Sequence, residues 1–178
     1  MIVNALVFLM ALIGMEGLAF VAHKYVMHGW GWGWHRSHHE PRTGRFEKND
    51  LFAVVFAGFA VALIALGNLG VHPLEWIGAG MTAYGLLYFL AHDGLVHKRW
   101  PLRFVPRHGY LKRLYQAHLL HHAVAGKEGC VAFGFLYAPS VSKLRAQLRA
   151  LHGGPLARHD EDAATSQQRG QASDGHGT

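Results

Sequence analysis

The sequence is poor in charge and almost free of cysteine. Only 16% of its 178 residues are charged, and Cys130 is the single cysteine. One cysteine cannot form an intramolecular disulfide framework, which excludes the disulfide-stabilised class of small domains. The sequence also has no dinucleotide-binding fingerprint, no catalytic nucleophile motif and no Glu-x-x-His motif of the soluble di-iron bundles. Any redox chemistry would therefore need electrons from another protein.

The net charge of +6 comes from 17 Lys and Arg against 11 Asp and Glu. A basic chain can indicate nucleic-acid binding. Here, however, the basic residues flank apolar segments, where they would meet anionic lipid head groups. We therefore expect a lipid bilayer and no nucleic acid among the partners.

Long hydrophobic runs are abundant, and three of them are candidate membrane spans. Ile2–Ala22 has 21 residues, Leu51–Leu69 has 19 and Trp76–Ala91 has 16. A helix needs about 20 apolar residues to cross a bilayer, so the third run is short and a soluble core helix is its alternative. The first run lacks a basic leading region and a small-residue cleavage site, so we expect a retained helix rather than a signal peptide.

The distribution of basic residues predicts the orientation. All Lys and Arg lie in Lys24–Lys48 or after His97, and the connector Gly70–Glu75 has none. The positive-inside rule then places both basic regions in the cytoplasm and the N-terminus and connector outside. We expect a multi-pass protein of the cell (inner) membrane.

Ten of the fifteen histidines form four clusters, arranged as two similar halves. Each half has an H-x4-H pair followed by an H-x2-H-H triplet. On a helix, positions i, i+3 and i+4 share one face, so each triplet can aim three imidazoles at one point. Imidazole is the commonest protein metal ligand, and ten exceed what one ion can use, so we predict a two-metal site on the cytoplasmic side. The ten are His23, His28, His35, His38, His39, His92, His97, His118, His121 and His122.

The H-x4-H spacing needs a special backbone. Residues i and i+5 are about 140° apart around an ideal helix. His23 and His28 therefore share a face only if the helix ends, kinks or carries a π-bulge between them. Otherwise each of the two histidines binds a different metal or contacts a different neighbour. Gly29 is a plausible helix end, and Gly94 could loosen the pair His92 and His97.

Glu16 is a functional candidate because a carboxylate inside an apolar span is costly. It lies two turns before His23, which predicts either a hydrogen bond to a ligand imidazole or contact with another helix. Further on, Asn49 or Asp50 would cap the second span.

Shorter elements complete the prediction of an all-α fold. We expect helices at His35–Glu40, Tyr110–Ala125 and Ser140–Leu151, the last capped by Ser140 or Ser142. Gly126–Pro139 is too short to span and could re-enter against the head-group layer or line a pocket. The expected architecture is a multi-pass membrane helical protein, with a cytoplasmic-side helical cap that holds the di-metal site. Residues 1–152 form this membrane-embedded domain, and the polar composition of residues 153–178 predicts a disordered tail.

Ligand type alone does not choose the metal, because imidazole binds zinc, iron, copper and nickel. A site at the ends of apolar spans suits a long lipid-like substrate. Attack on a hydrocarbon C–H bond needs O₂ and a redox metal, and the missing nucleophile motif favours this chemistry, with an iron pair, over hydrolysis. A membrane metal transporter is the non-enzyme alternative, but its ligands would lie near the middle of its spans.

Several segments carry a resemblance to a known family. The four clusters, the Gly-Trp repeat that begins at Gly29, and the segments His35–Arg42, Phe46–Leu51 and Gly126–Val131 resemble bacterial beta-carotene hydroxylases. These belong to the membrane fatty acid hydroxylase and sterol desaturase superfamily. The resemblance runs from about residue 3 to residue 150.

The resemblance implies a non-haem di-iron monooxygenase that uses O₂ and electrons from an external donor, ferredoxin and its reductase. The substrate would be a carotenoid, hydroxylated at carbons 3 and 3′ of the beta-ionone rings: beta-carotene through beta-cryptoxanthin to zeaxanthin, and also canthaxanthin to astaxanthin. The ten clustered histidines would hold two iron ions, which zinc could replace in purified protein. Asp93 and Glu40 are candidates for orienting imidazoles. A fatty-acid or sterol hydroxylase or desaturase of the same superfamily is the alternative.

Overall fold

The computed structural model describes residues 1–41, 44–99 and 104–153, and these ranges contain helices and no strand. The all-α class is thus confirmed for this part of the chain. Gly153 ends the last helix with a φ of 70°. The rest of the predicted tail, residues 154–178, lies outside the described residues. The α-helices are α1 (Ile2–Val21), α2 (Trp32–His39), α3 (Asp50–Asn68), α4 (Leu74–Tyr88), α5 (Gly109–His122) and α6 (Val141–His152), and two π-helices span Ala22–Trp30 and Phe89–Val96.

Two helices are long and apolar enough to cross a membrane. They are Ile2–Trp30, which joins α1 to the first π-helix over 29 residues, and α3 with 19 residues. The third predicted span, Trp76–Ala91, falls on α4 and the start of the second π-helix that continues it, and this segment is not among the two helices long and apolar enough to cross a membrane. Met10, Ile13 and Val54 are among the large apolar side chains that α1 and α3 leave exposed. Such a surface suits contact with lipid.

Helix α4 packs closely against both α1 and α3 through two glycines. A Cβ at Gly78 would lie 2.6 Å from the carbonyl oxygen of Ala60, and one at Gly80 would lie 2.7 Å from that of Phe8. Neither position can carry a side chain without moving a helix backbone. Gly58 on α3, by contrast, has open space around it.

Helices α5 and α6 form a second layer beside the histidines. Leu114 on α5 packs with Leu144 and Leu148 on α6 in one buried cluster. Ser140 immediately precedes helix α6, and its hydroxyl accepts the N–H of Lys143 at 3.4 Å. Ser140 rather than Ser142 is therefore the cap.

Two helix boundaries differ from the prediction for local reasons. Helix α2 begins at Trp32 rather than His35. The helical conformation is interrupted at Gly29 (φ −102°, ψ −121°), and a new helix begins immediately after Gly31. Helix α5 ends at His122 rather than near Ala125. The carbonyl of Val124 there accepts from a histidine ring instead of continuing a helix.

Candidate metal centre

The two π-helices bring together the two histidines of each H-x4-H pair. In the first, the N–H of Gly31 donates to the carbonyl of Val26, five residues earlier, at 2.8 Å. In the second, the N–H of His97 donates to the carbonyl of His92 at 2.9 Å. This wider turn brings residues i and i+5 together. The ring centroids of His23 and His28 are 5.2 Å apart, and those of His92 and His97 are 4.5 Å apart. The first pair thus lies in a π-helix that also has a kink at Gly29, immediately after His28, and the second pair spans the end of the other π-helix, with His97 directly after Val96.

The ten histidines meet in one cluster that contains two groups of four. Within each group the ligand nitrogens lie within 4.8 Å of one another. His92 adjoins the second group, with its Nε2 3.0 Å from Nε2 of His38. His39 lies between the groups, its ring 5.0 Å from that of His35 and 4.5 Å from that of His122. The first group is His23, His28, His35 and His121, and the second group is His38, His97, His118 and His122.

The prediction that each triplet aims at one point is wrong. Helix α2 gives His35 to the first group and His38 to the second. Helix α5 gives His121 to the first group but His118 and His122 to the second. On an α-helix, i+4 lies about 40° to one side of i, whereas i+3 lies about 60° to the other side. Each helix therefore supplies both groups.

Backbone carbonyls orient four of the imidazoles through Nδ1. A carbonyl oxygen only accepts, so each Nδ1 carries the proton and each Nε2 is left with a lone pair for a metal. Three of the carbonyls belong to Gly126–Pro139, which the sequence suggested could line a pocket, and the fourth, that of Val124, lies just before it. No side-chain pattern reveals such carbonyls. The pairs are His23–Phe133 (2.9 Å), His28–Lys127 (2.8 Å), His39–Val124 (3.1 Å) and His121–Val131 (2.8 Å).

Three further imidazoles donate to side chains. Asp93 was a sequence candidate for this role, whereas Glu47 and Asn49 were missed. Asn49 was expected to cap α3, but its side chain makes no capping bond and accepts from an imidazole instead. The only sequence signal was a polar segment ahead of an apolar run. The pairs are His35–Asn49 (2.7 Å), His38–Glu47 (2.9 Å) and His92–Asp93 (2.7 Å).

The other two candidate carboxylates hydrogen-bond elsewhere. Glu40 pairs with Arg36 at 2.7 Å on the exposed side of α2, too far out to orient an imidazole. Glu16 accepts the hydroxyl of Tyr84 on α4 at 2.7 Å and the backbone N–H groups of residues 135–137 at 2.9–3.1 Å. It thus supports the cluster indirectly, because the ring of Phe135 stacks on that of His23 at 5.0 Å.

The geometry of the imidazoles fits bound metal ions. Nε2 of His23 lies 3.1 Å from Nε2 of His35, and Nε2 of His28 lies 3.2 Å from Nε2 of His121. In both pairs Nδ1 holds the proton, so two lone pairs face each other with no hydrogen between them. This contact is repulsive unless a cation lies beside both nitrogens. Two nitrogens bound at about 2.0–2.1 Å to one ion lie about 2.9–3.4 Å apart, as observed here.

Burial keeps the imidazoles neutral and hence able to bind metal. It lowers the pKa of His35 to about 3 and that of His39 to about 4. Burial, followed by the neighbouring imidazoles, holds the pKa of His38 and His118 well below 6.5. Cys130 also lies near His39 and His121, but burial raises the pKa of its thiol to about 11, so it stays protonated.

An apolar cavity of about 380 Å³ lies beside the histidines, between α1, α3 and α4. Met15, Phe56 and Ala60 are among its lining residues. It reaches the cluster at Phe135 and at Tyr88, whose ring stacks on that of His92 at 4.4 Å. An apolar molecule bound here would contact the side chains that cover the imidazoles.

The model of the fatty acid hydroxylase family matches residues 8–139, a range that contains all ten clustered histidines. The chain belongs to the fatty acid hydroxylase family. The family resemblance of the motifs is therefore confirmed, and the structure shows how a fatty acid hydroxylase can bring such scattered histidines together.

Within this family, the chain is similar to several named enzymes. The beta-carotene hydroxylase of Pantoea ananas is 70% identical over 84% of this chain and 86% of its own length. That of Pseudescherichia vulneris is 65% identical over 89% of this chain and 90% of its own length. Beta-carotene 3-hydroxylase 1, chloroplastic, of Arabidopsis thaliana is 43% identical over 72% of this chain and 42% of its own length. No solved structure gives a significant match.

Proposed function

We propose that this chain is a carotenoid hydroxylase that adds hydroxyl groups at carbons 3 and 3′ of beta-ionone rings. It would convert beta-carotene through beta-cryptoxanthin to zeaxanthin, and canthaxanthin to astaxanthin. The observation that carries the proposal is the 70% identity to a bacterial beta-carotene hydroxylase over 84% of the chain. The apolar cavity beside ten buried or half-buried histidines supports it, because a carotenoid ring offers mainly apolar surface.

We further propose that the cluster holds two iron ions, one at each group of four histidines, with His39 and His92 as additional ligands. Bound iron would supply the activation of O₂ that attack on a C–H bond requires. The protein's own part is to hold neutral imidazoles with their Nε2 lone pairs inward. Zinc also binds imidazole, so purified protein that is loaded with zinc would be folded but inactive.

The cavity would position the ring that is to be hydroxylated. Its apolar walls exclude water, and Tyr88 and Phe135 lie where the cavity meets the imidazoles. A ring held against these two side chains would be fixed in place before reaction, which is where much of the rate enhancement of such an enzyme arises.

The proposed setting is the cell (inner) membrane, crossed several times by residues 1–152, with the histidines on the cytoplasmic side and the N-terminus outside. Support comes from the two helices long enough to span and from the basic residues on the chain segments around the clusters. Electrons would come from ferredoxin and its reductase. The exposed Lys112 and Arg113 on α5 form a basic surface that suits an acidic carrier.

Pigment analysis tests the function directly. Bacterial cells that make beta-carotene should accumulate beta-cryptoxanthin and zeaxanthin when they express this chain in air. His38→Ala should abolish the conversion, whereas His108→Ala, which changes an exposed histidine outside the clusters, should leave it intact. Unchanged beta-carotene with iron-loaded protein in the membrane would contradict the proposal. Hydroxylation of a 4-keto carotenoid, or of a fatty acid or sterol, would then identify the substrate.

A further inference from the structure

We propose that the two metal positions are unequal, and that the second group, built around His38, binds its ion more tightly than the first. The inference rests on the proposed two-metal site but not on the identity of the substrate. It follows from the groups that accept hydrogen bonds from Nδ1 of the imidazoles, rather than from the imidazoles themselves.

The atoms that accept hydrogen bonds from Nδ1 of the first group's imidazoles carry no formal charge. His23, His28 and His121 donate through Nδ1 to backbone carbonyls. The fourth member, His35, donates to the side-chain amide oxygen of Asn49 at 2.7 Å. These acceptors fix the tautomer and the orientation of each ring, but they place no negative charge beside a bound cation.

Two acceptors on the side of the second group are carboxylates. Glu47 accepts from Nδ1 of His38 at 2.9 Å, and Asp93 accepts from Nδ1 of the adjoining His92 at 2.7 Å. A carboxylate behind an imidazole makes the ring a stronger donor to a metal than a neutral carbonyl does. The two rings also face each other, with their Nε2 atoms 3.0 Å apart.

These carboxylates are sheltered from water. The side chains of Glu47 and Asp93 are 10% and 11% exposed, and those of His38 and His92 are 2% and 3% exposed. Their charges are therefore weakly screened, and the attraction to a bound cation is larger than at a surface.

An ion-pair network holds both carboxylates in place. Arg99 donates to Asp93 at 3.1 Å and to both oxygens of Asp50 at 2.7 Å. Asp50 in turn accepts the backbone N–H of Glu47 at 2.9 Å. These bonds fix Glu47 and Asp93 on the same side of the cluster.

Asn49 is the position for the corresponding substitution beside the first group. It is buried and already hydrogen-bonded to His35, and aspartate has nearly the same size and shape. Asn49→Asp would give the first group the carboxylate that it lacks. Glu47→Gln and Asp93→Asn make the reverse change on the side of the second group.

The test is a titration of metal-free protein in detergent with Co²⁺, followed through the visible absorption bands of the bound ion. Wild-type protein should bind two ions in two resolved steps. His38→Ala should remove the tighter step and His35→Ala the weaker one. Glu47→Gln and Asp93→Asn should each weaken the tighter step about 10- to 100-fold and leave the weaker step unchanged. Asn49→Asp should tighten the weaker step about tenfold or more.

Circular dichroism and melting curves of each variant separate a change in metal affinity from a loss of fold. Two ions bound in one step of equal affinity would overturn the inference. So would Glu47→Gln and Asp93→Asn variants that remain folded but weaken both steps alike. No carotenoid is present in the titration, so its result stands apart from the pigment assay. Binding of a single ion per chain would refute the two-metal part of the proposed function, and this inference with it.

Discussion

Glu16 binds the backbone N–H of Leu136 through both of its carboxylate oxygens, at 3.1 Å and 3.0 Å, across 120 residues of sequence. The same carboxylate accepts from the N–H groups of Phe135 and Tyr137. It therefore fixes the segment 133–137 against α1. That segment carries the carbonyl of Phe133, which accepts from Nδ1 of His23.

Replacing Glu16 should weaken both the fold and the first group. Glu16→Leu would leave three backbone N–H groups and the hydroxyl of Tyr84 without their acceptor, at about 1–3 kcal/mol for each group that stays buried. We expect a lower melting temperature in detergent and loss of about one bound ion per chain. Glu16→Gln, which keeps one acceptor oxygen, should fall between Glu16→Leu and wild type. Glu128→Gln on the exposed surface should behave as wild type. A Glu16→Leu protein with unchanged melting would contradict this anchoring role.

Filling the cavity should block the substrate without disturbing the metal. Gly85 lines the cavity, and a Cβ added there meets no atom within 4 Å. Gly85→Phe should therefore fold normally, keep its metal content and lower carotenoid conversion at least tenfold. Gly58→Phe is the matched control, because Gly58 also has open space but lies on α3 away from the cavity lining. Equal conversion by the two variants would show that the ring binds elsewhere.

The ion pairs of Arg99 and Arg36 should differ greatly in their contribution to stability. The side chain of Arg99 is 12% exposed where it bridges Asp50 and Asp93, whereas that of Arg36 is 65% exposed beside Glu40. Removing one partner of a buried pair costs about 3–5 kcal/mol, but an exposed i, i+4 pair contributes only about 0.3–0.5 kcal/mol. Thermal or denaturant unfolding in detergent should show a large loss for Arg99→Gln and almost none for Arg36→Gln. Similar losses in the two variants would disprove the bridging role.

The histidine clusters could be predicted from the sequence, because histidine is a recognisable residue type and the clusters recur in two halves. The backbone conformation that brings the histidines together could not be predicted. The spacing of His23 and His28 required a special turn, but the same spacing also allowed a kink, a helix end or two separate ions. The structure shows that both histidines lie in the π-helix Ala22–Trp30. The carbonyl of Lys127, which orients His28, has no sequence signature at all, because every residue has a carbonyl.

Most of the side chains that accept hydrogen bonds from the imidazoles also could not be predicted, because their contacts depend on tertiary packing. Asn49 stands at the start of an apolar helix, where a polar residue normally acts as a cap. Its contact with His35 depends on how α2 and α3 pack, which is a tertiary relationship. Asp93 was easier to identify, since it directly follows His92 in the chain. Glu16 was identified as unusual, but its backbone partners lie about 120 residues away.

Acid should destabilise the metal-free protein. Burial lowers the pKa of His35 to about 3 and that of His39 to about 4, below the ordinary value of 6.5. Between these values the unfolded chain binds more protons than the folded one, so stability is fully present above about pH 6.5 and falls as the pH drops towards 4. Melting temperatures of metal-free protein measured from pH 8 to pH 4.5 should be flat at first and then decrease. His39→Ala should reduce the slope, whereas His108→Ala should not. Stability that rises on acidification would contradict the neutral state of the cluster.

The basic surface of α5 should govern electron delivery. Lys112 and Arg113 are exposed, and opposite charge between partners raises the rate of encounter in a salt-dependent way. Neutralising both to Gln should lower conversion driven by an acidic carrier such as ferredoxin several-fold at low salt. The difference from wild type should shrink as ionic strength rises. Metal content should not change, because neither side chain belongs to the cluster.

Two controls separate docking on α5 from other effects of charge. Neutralising Lys143 and Arg145, which are exposed on α6, removes the same charge from a different helix and should have a smaller effect. Supplying electrons from a small chemical reductant should restore wild-type turnover to the α5 variant, because no docking is then required. If both pairs of substitutions lowered the rate equally, the overall charge of the protein would matter rather than this surface. A defect that persisted with the small reductant would place the fault in the catalytic cluster and refute the docking role.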